Sequence, residues 1–308
     1  MSADILVFIF GGMLAAATGM LFAALGEMVV ERSGVLNLSV EGMMATGAAA
    51  AFGVALTSGS HLLGFIGGAA AGMTVSAIFA VLVLFFFANQ VAAGLATGIL
   101  GLGISAFIGK PFEGMTIAKL PKLDVAGLSD IPLLGPILFR HDVMVYLAIV
   151  LVVVLAYVFR KTKLGLLIRA AGENPKIAAA NGLPVRLIRF LCILFGGALA
   201  GIGGAYLSIA YTAIWAEGLI AGRGWIAVAL VVFGGWLPFR IALGAYVFGG
   251  VTLLELSLQS MGVRIPSQLL SASPYLVTIV LLASISSNQY RLRLSRPMAL
   301  GQTYRPDT

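Results

Sequence analysis

Ile5-Leu-Val-Phe-Ile-Phe-Gly-Gly-Met-Leu-Ala-Ala-Ala-Thr-Gly-Met-Leu-Phe-Ala-Ala-Leu-Gly26 contains no charge and no helix-breaking proline. Coiled as a helix it is long enough to cross a hydrocarbon core of roughly 30 Å. Similar stretches follow at about 41–57, 62–87, 90–109, 142–159, 187–212, 225–236, 241–258 and 274–288, and the first extends over about 5–30. Alternating ten-residue strand patterns are absent, which argues against a β-barrel. The expected fold is all-α: a polytopic integral membrane helix bundle of about 8–10 transmembrane helices. The stretch at 225–236 is short for a full span and reads as broken or re-entrant.

Composition agrees. Only 10% of residues are charged and 60% are apolar, with mean hydropathy +1.05, where soluble domains carry about 25% charge. Spans and short connections use up residues 1–308 as a single transmembrane domain, so a nucleotide-binding or catalytic domain must sit on another chain. The net charge of +7 comes from loop residues, which the positive-inside rule explains better than nucleic-acid binding. Cys192 lies in an apolar run and cannot form an internal disulfide. Met1 to Asp4 carry no Lys or Arg, which argues against a cleaved signal peptide.

Loop charge sets the expected orientation. Residues 160–189 hold Arg160, Lys161, Lys163, Arg169, Lys176, Arg186 and Arg189 against Glu173 alone, and the tail 289–308 holds Arg291, Arg293, Arg296 and Arg305. Both belong in the cytoplasm. The loop 110–141 balances its charges and belongs outside, as does the N-terminus by counting back. The 39 glycines include the pairs Gly68/Gly72, Gly94/Gly98 and Gly197/Gly201, whose spacing permits close helix approach in lipid. A short echo, Gly11-Gly-Met-Leu-Ala15 against Gly196-Gly-Ala-Leu-Ala200, suggests inverted repeats whose discontinuous helices meet near the membrane midplane.

Two segments stand out. In Glu27-Met-Val-Val-Glu31-Arg32-Ser33-Gly34-Val-Leu-Asn37-Leu-Ser39-Val-Glu41-Gly-Met-Met44, Ser33-Gly34 breaks the first helix. Asn37 or Ser39 can N-cap the next, with Glu41 in its first turn. One reading is a plain cytoplasmic turn in which Glu31 pairs with Arg32. The other is a discontinuous helix presenting polar groups to a translocation path, and Glu27 inside an apolar helix favours it. Glu27, Asn37, Ser39 and Glu41 are the candidate substrate contacts, with Glu217, Arg223 and Glu255 as further polar groups near span ends. Trp215 and Trp225 beside them read as interfacial anchors or as stacking rings.

The second segment is Lys163-Leu-Gly-Leu-Leu-Ile-Arg169-Ala-Ala-Gly172-Glu173-Asn174-Pro175-Lys-Ile-Ala178-Ala179-Ala-Asn-Gly182-Leu-Pro184. Asn174 is a good N-cap with Pro175 at N1, and Gly182 and Pro184 stop the helix. So short a helix is marginal alone, which leaves docking on a partner or lying idle at the lipid interface. His61 and His141 fall in short connections, and no metal-ligand spacing, phosphate-cradling loop or nucleophile elbow occurs. A membrane enzyme would need catalytic residues that the chain lacks.

At these two segments the sequence resembles the permease subunits of bacterial ATP-binding-cassette (ABC) importers in the branched-chain amino acid and simple-sugar permease family. Arg169-Ala-Ala-Gly172-Glu173-Asn174-Pro175 with Ala178, Ala179 and Gly182 is similar to that family's cytoplasmic coupling loop, here about 160–187. Ser33 to Met44 is similar to the nucleoside and simple-sugar branch, apart from Ser39 where the branch commonly has Gly. The resemblance extends over Gly196–Gly204 and Gly222–Leu230. It implies a permease in the bacterial inner membrane translocating nucleosides or simple sugars. The chain would hold no cofactor, ATP being used by a separate ATP-binding subunit docked on the helix at 175–181. A second permease chain (a related one, or a second copy) and an extracytoplasmic binding lipoprotein or periplasmic protein would complete the machine. The competing reading is a stand-alone secondary transporter or channel for a small polar solute, against which no evident proton relay appears.

Overall fold

The computed structural model describes residues 3–123, 127, 129, 131, 134–260, 272–277, 280 and 296–305. Helices follow in the order α1 (Ala3–Arg32), α2 (Val40–Ser58), α3 (His61–Leu84) and α4 (Gln90–Gly109), then α5 (Leu134–Leu138) and α6 (Val143–Lys161). Next come the small helices α7 (Lys163–Glu173) and α8 (Pro175–Ala180), and then α9 (Val185–Ala205), which continues as a π-helical turn Tyr206–Tyr211. α10 (Arg223–Phe233) and α11 (Pro238–Ser260) close the series. Seven helices among the described residues are long and apolar enough to cross a membrane. The short stretch expected at 225–236 is α10, only 11 residues. The stretch at 274–288 lies largely outside the described residues, although 272–277 is helical.

Local chemistry sets the helix ends. Ser60, Asn89 and Asp142 accept backbone N–H groups at the starts of α3, α4 and α6, satisfying donors that a helix leaves orphaned. Gly59 ends α2 with φ 67°. Tyr206 donates its hydroxyl to Asp142 (3.0 Å), tying the far end of α9 to the cap of α6.

Lipid tails are as apolar as leucine, so burial alone does not drive helices together in a membrane, and close packing must. The small residues supply it. Gly19 and Gly26 of α1 meet Gly203 and Gly196 of α9, so these two helices run antiparallel in contact. Gly68 and Gly72 of α3 lie on Ala205, Gly197 and Gly201, as their spacing predicts, while Gly94 receives Leu38. The tightest point is Gly204, where an added Cβ would collide with the Met44 carbonyl of α2. Gly204→Ala is therefore expected to cost about 1–3 kcal/mol of overpacking and to lower the yield of monodisperse protein, read by size-exclusion of a fluorescent fusion.

The packing also repeats between halves in inverted sense. Gly249 of α11 lies against the Met13 carbonyl of α1, and Gly72 of α3 lies against the Gly197 carbonyl of α9. Gly249 of α11 lies beside Ala17, and Gly72 of α3 beside Gly201. Both pairs keep one register: α1 corresponds to α9 and α3 to α11. The helix between each pair, α2 or α10, starts after a non-helical break.

Candidate functional site: two broken helices meeting at Glu41

The first break is held by its own polar groups. Gly34 takes φ 90°, a conformation that strains any residue with a Cβ, and turns the chain back beside α1. Asn37 then donates from its backbone N and its Nδ2 to the two carboxylate oxygens of Glu27 (3.2 and 3.1 Å). This resolves the cost of placing Glu27 in an apolar helix: its lone pairs are met inside the protein. Asn37 Oδ1 in turn accepts from the Ser39 backbone N and hydroxyl. Ser39 occupies the N-cap of α2 but makes no capping bond, because its hydroxyl is already committed to Asn37. Glu27, Asn37 and Ser39 are at most 1% exposed and line none of the cavities described below. In this conformation they brace the break.

Glu31 and Arg32 do not pair with each other, as adjacent residues on a helix point apart. Both turn to Trp236, which donates Nε1–H to Glu31 (2.6 Å) and accepts from Arg32 Nη2 at its carbonyl (2.9 Å). The simple-turn reading of this segment is thus corrected.

Glu41 is the junction. Its Oε1 accepts the Gly222 N–H and its Oε2 the Gly224 N–H, each at 2.7 Å. It sits in the first turn of α2, while Gly222 and Gly224 form the start of α10. Two helix N-termini, each carrying about half a positive charge, are thereby joined through one carboxylate. The approach is close enough that a Cβ on Gly224 would reach the Glu41 backbone. At 1.5 Å per residue α10 spans about 16 Å, half of a bilayer core, from this junction to the turn at Trp236. Ala221, just before the junction, has φ 49°, a left-handed conformation that disfavours alanine by roughly 1–2 kcal/mol.

Cavities flank the junction. One of about 280 Å³ is lined by Glu41, Ser105, Trp215 and Glu217. Another of about 330 Å³ is lined by Tyr211, Arg223, Thr252 and Glu255. The structure thus brings Glu41 and Glu217 to one chamber and Arg223 and Glu255 to its neighbour, with the strand of chain at Ala221 touching both. Trp215 is 3% exposed and packs over Gly109 of α4, so it is a chamber wall and not an interfacial anchor.

The small helices form the second feature. Asn174 caps α8 by accepting Ile177 N–H (3.1 Å), Pro175 is at its start, and Gly182 ends it with φ 82°. Ala178 is buried against Ala171 and Val185, more anchorage than its small side chain suggested, and Ala179 packs at the edge of that cluster. Ile177 is left 60% exposed. Glu173 is exposed, Arg169 donates Nε–H to Gly165 O (3.3 Å), and Gly172 sits so close to the first break that a Cβ would strike the Arg32 carbonyl. The tail crosses here, Ala299 donating its N–H to Gly172 O (2.9 Å).

In the sequence Arg189 counts only as a loop charge. It is 1% exposed and spans two regions: its Nε donates to Ser33 O (3.0 Å) and its Nη2 to Ala171 O (3.2 Å). Its guanidinium also lies 5.6 Å from the Tyr304 ring centre. One side chain thus ties the break after α1 to the end of α7. The signal was present: an arginine inside an apolar run carries the same burden as Glu27.

Among the described residues no group of three or more His, Cys, Asp or Glu could hold a metal ion. Broken helices apposed inside a bundle of membrane-spanning helices, with a capped small helix beside it, fit a membrane permease. Residues 9–285 match the family described as "Branched-chain amino acid transport system / permease component", and the chain belongs to that family. It is 39% identical to the putative glucose ABC transporter permease protein TsgC13 of Haloferax volcanii, covering 94% of each chain. It is 33% identical to the guanosine ABC transporter permease protein NupQ of Bacillus subtilis, over 98% of this chain and 97% of the relative. The nucleoside ABC transporter permease protein NupC of Lactococcus lactis is 31% identical over 89% of this chain and 91% of the relative. No solved structure matches. The chain is a multi-pass permease of an ABC importer, a machine whose ATP-binding subunit and substrate-binding protein are separate partners.

Proposed function

We propose that this chain carries nucleosides or simple sugars across the inner membrane, with its N-terminus outside and its basic end in the cytoplasm. The observation that carries this reading is the Glu41 junction, a closed contact between the starts of α2 and of the short α10 with a cavity on either side. Glu217, Ser105 and the Glu41 edge on one side, and Arg223, Thr252 and Tyr211 on the other, offer hydrogen bonds suited to hydroxyls and base edges. Glucose and guanosine, the solutes in the names of two relatives, are both neutral and rich in such groups. Opening the contact would join the chambers. A second permease chain, related or identical, completes the channel, and ATP is consumed only on the partner subunit. The test is uptake of labelled guanosine and glucose into right-side-out vesicles containing the whole transporter. Saturable uptake of one class, competed by its own members, is expected. Uptake of leucine with neither class competing would contradict the assignment.

In the same reading α8 seats on the ATP-binding subunit, with Ile177 and its neighbours as the contact and Ala178 as the anchor. Arg169, Gly172, Glu173, Asn174, Pro175, Ala179 and Gly182 shape and orient the loop. Changing Arg169 and Glu173 together to Ala is expected to leave the complex assembled while substrate no longer stimulates its ATP hydrolysis. Normal stimulation in that variant would sink the coupling role.

A further inference from the structure

A third cavity, of about 310 Å³, opens at the basic end of the bundle between the end of α6 and the start of α11. Four arginines line it: Arg32, Arg160, Arg169 and Arg240. They come from four separate elements, so no single helix face accounts for the cluster. No Asp or Glu is among its described lining residues. The nearby acids are Glu173, which faces Arg32, and Glu31, which is buried behind Trp236. These offset only part of the positive charge. The side chains of Arg160 and Arg240 make no hydrogen bond or ion pair among the described residues, and Arg32 Nε is buried without a partner.

The rest of the lining is apolar. Phe159 lies under the Arg32 guanidinium at 5.7 Å, and Phe239 is 53% exposed on the outer rim. A guanidinium cluster of this kind matches the oxygens of a phosphate group. An apolar rim at the end of membrane-spanning helices matches the first carbons of acyl chains. A free phosphate would use the arginines and gain nothing from the rim.

We propose that this cavity binds an anionic phosphate group carried by a phospholipid headgroup, with the acyl chains leaving past Phe239. Because Arg32 ends α1 at the first break and Arg169 lies on α7, the lipid would sit against both the break and the segment that bears α8. The site does not depend on which solute is transported.

Native mass spectrometry of the purified full-length chain tests it, by titrating dioleoylphosphatidylglycerol and dioleoylphosphatidylcholine into lipid-stripped protein. The wild type is expected to retain the anionic lipid about tenfold better than the zwitterionic one, given the attraction each basic residue exerts at a membrane surface. In R160Q/R240Q this preference should vanish, and in R160K/R240K most of it should remain. Millimolar sodium phosphate should leave the bound lipid in place. An unchanged preference in R160Q/R240Q would overturn the proposal, and displacement by inorganic phosphate would overturn the lipid as its source.

Discussion

Glu41→Ala is expected to abolish uptake by the assembled transporter. The wild-type carboxylate accepts two N–H groups at 2.7 Å from the start of α10. Hydrogen bonds to a charged group contribute about 1.5–3 kcal/mol each. Their loss removes roughly 3–6 kcal/mol from the junction and leaves two helix N-termini facing each other with no anion between them. That end-to-end contact is the expected gate, so it should become leaky or collapse. Glu41→Gln keeps one acceptor oxygen without the charge and should fall between the two. Glu41→Asp keeps the charge but is one methylene short of reaching both donors. Uptake in vesicles, normalised to protein recovered by size-exclusion, separates transport loss from loss of folding. Wild-type uptake by Glu41→Ala would remove the junction from the mechanism.

Arg189→Ala should have the next largest effect, on coupling. Its guanidinium bridges Ser33 O and Ala171 O, joining the broken end of α1 to the loop that bears α8. A buried arginine that satisfies two carbonyls in fixed directions has no equivalent in lysine, whose ammonium is a point charge on a flexible stem. Arg189→Lys is therefore expected to fold while losing most of the substrate stimulation of ATP hydrolysis, and Arg189→Ala to lose all of it together with some stability. Stimulation retained in both would show that movement at α8 reaches the helices by another route.

How much of this could be read from residues alone varies by feature. Membrane spanning followed from charge-free runs such as Ile5–Gly26, because length and hydropathy suffice for that inference. The break at Ser33-Gly34 and the caps of α8 at Asn174 and Gly182 were legible because capping depends on residues within one turn. The roles of Asn37 and Ser39 were not. Each is a plausible cap by type, and only the return of the chain alongside α1 brings Asn37 to Glu27 and uses up the Ser39 hydroxyl. Glu41 was expected near a path through its position in a first turn. Its partners, Gly222 and Gly224, lie more than half the chain away, and no local signal connects them. Trp236 and Arg189 were missed for the same reason: their partners are set by packing between distant helices. The inverted echo at Gly11 and Gly196 was weak because it rests on common small residues. In the structure the two helices do correspond, one residue away from the echo's alignment: Met13 and Ala17 meet Gly249 of α11 as Gly197 and Gly201 meet Gly72 of α3.

As proposed, this chain is a gate whose motor is a separate ATP-binding subunit. The most direct measurement is labelled-solute uptake into proteoliposomes containing the permease, its binding protein and, in parallel preparations, either the ATP-binding subunit with ATP or an imposed ion gradient alone. Uptake should appear only with the ATP-binding subunit and hydrolysable ATP, and should vanish with Glu41→Ala. Concentrative uptake driven by the ion gradient in the absence of that subunit would show that the chain is a stand-alone transporter.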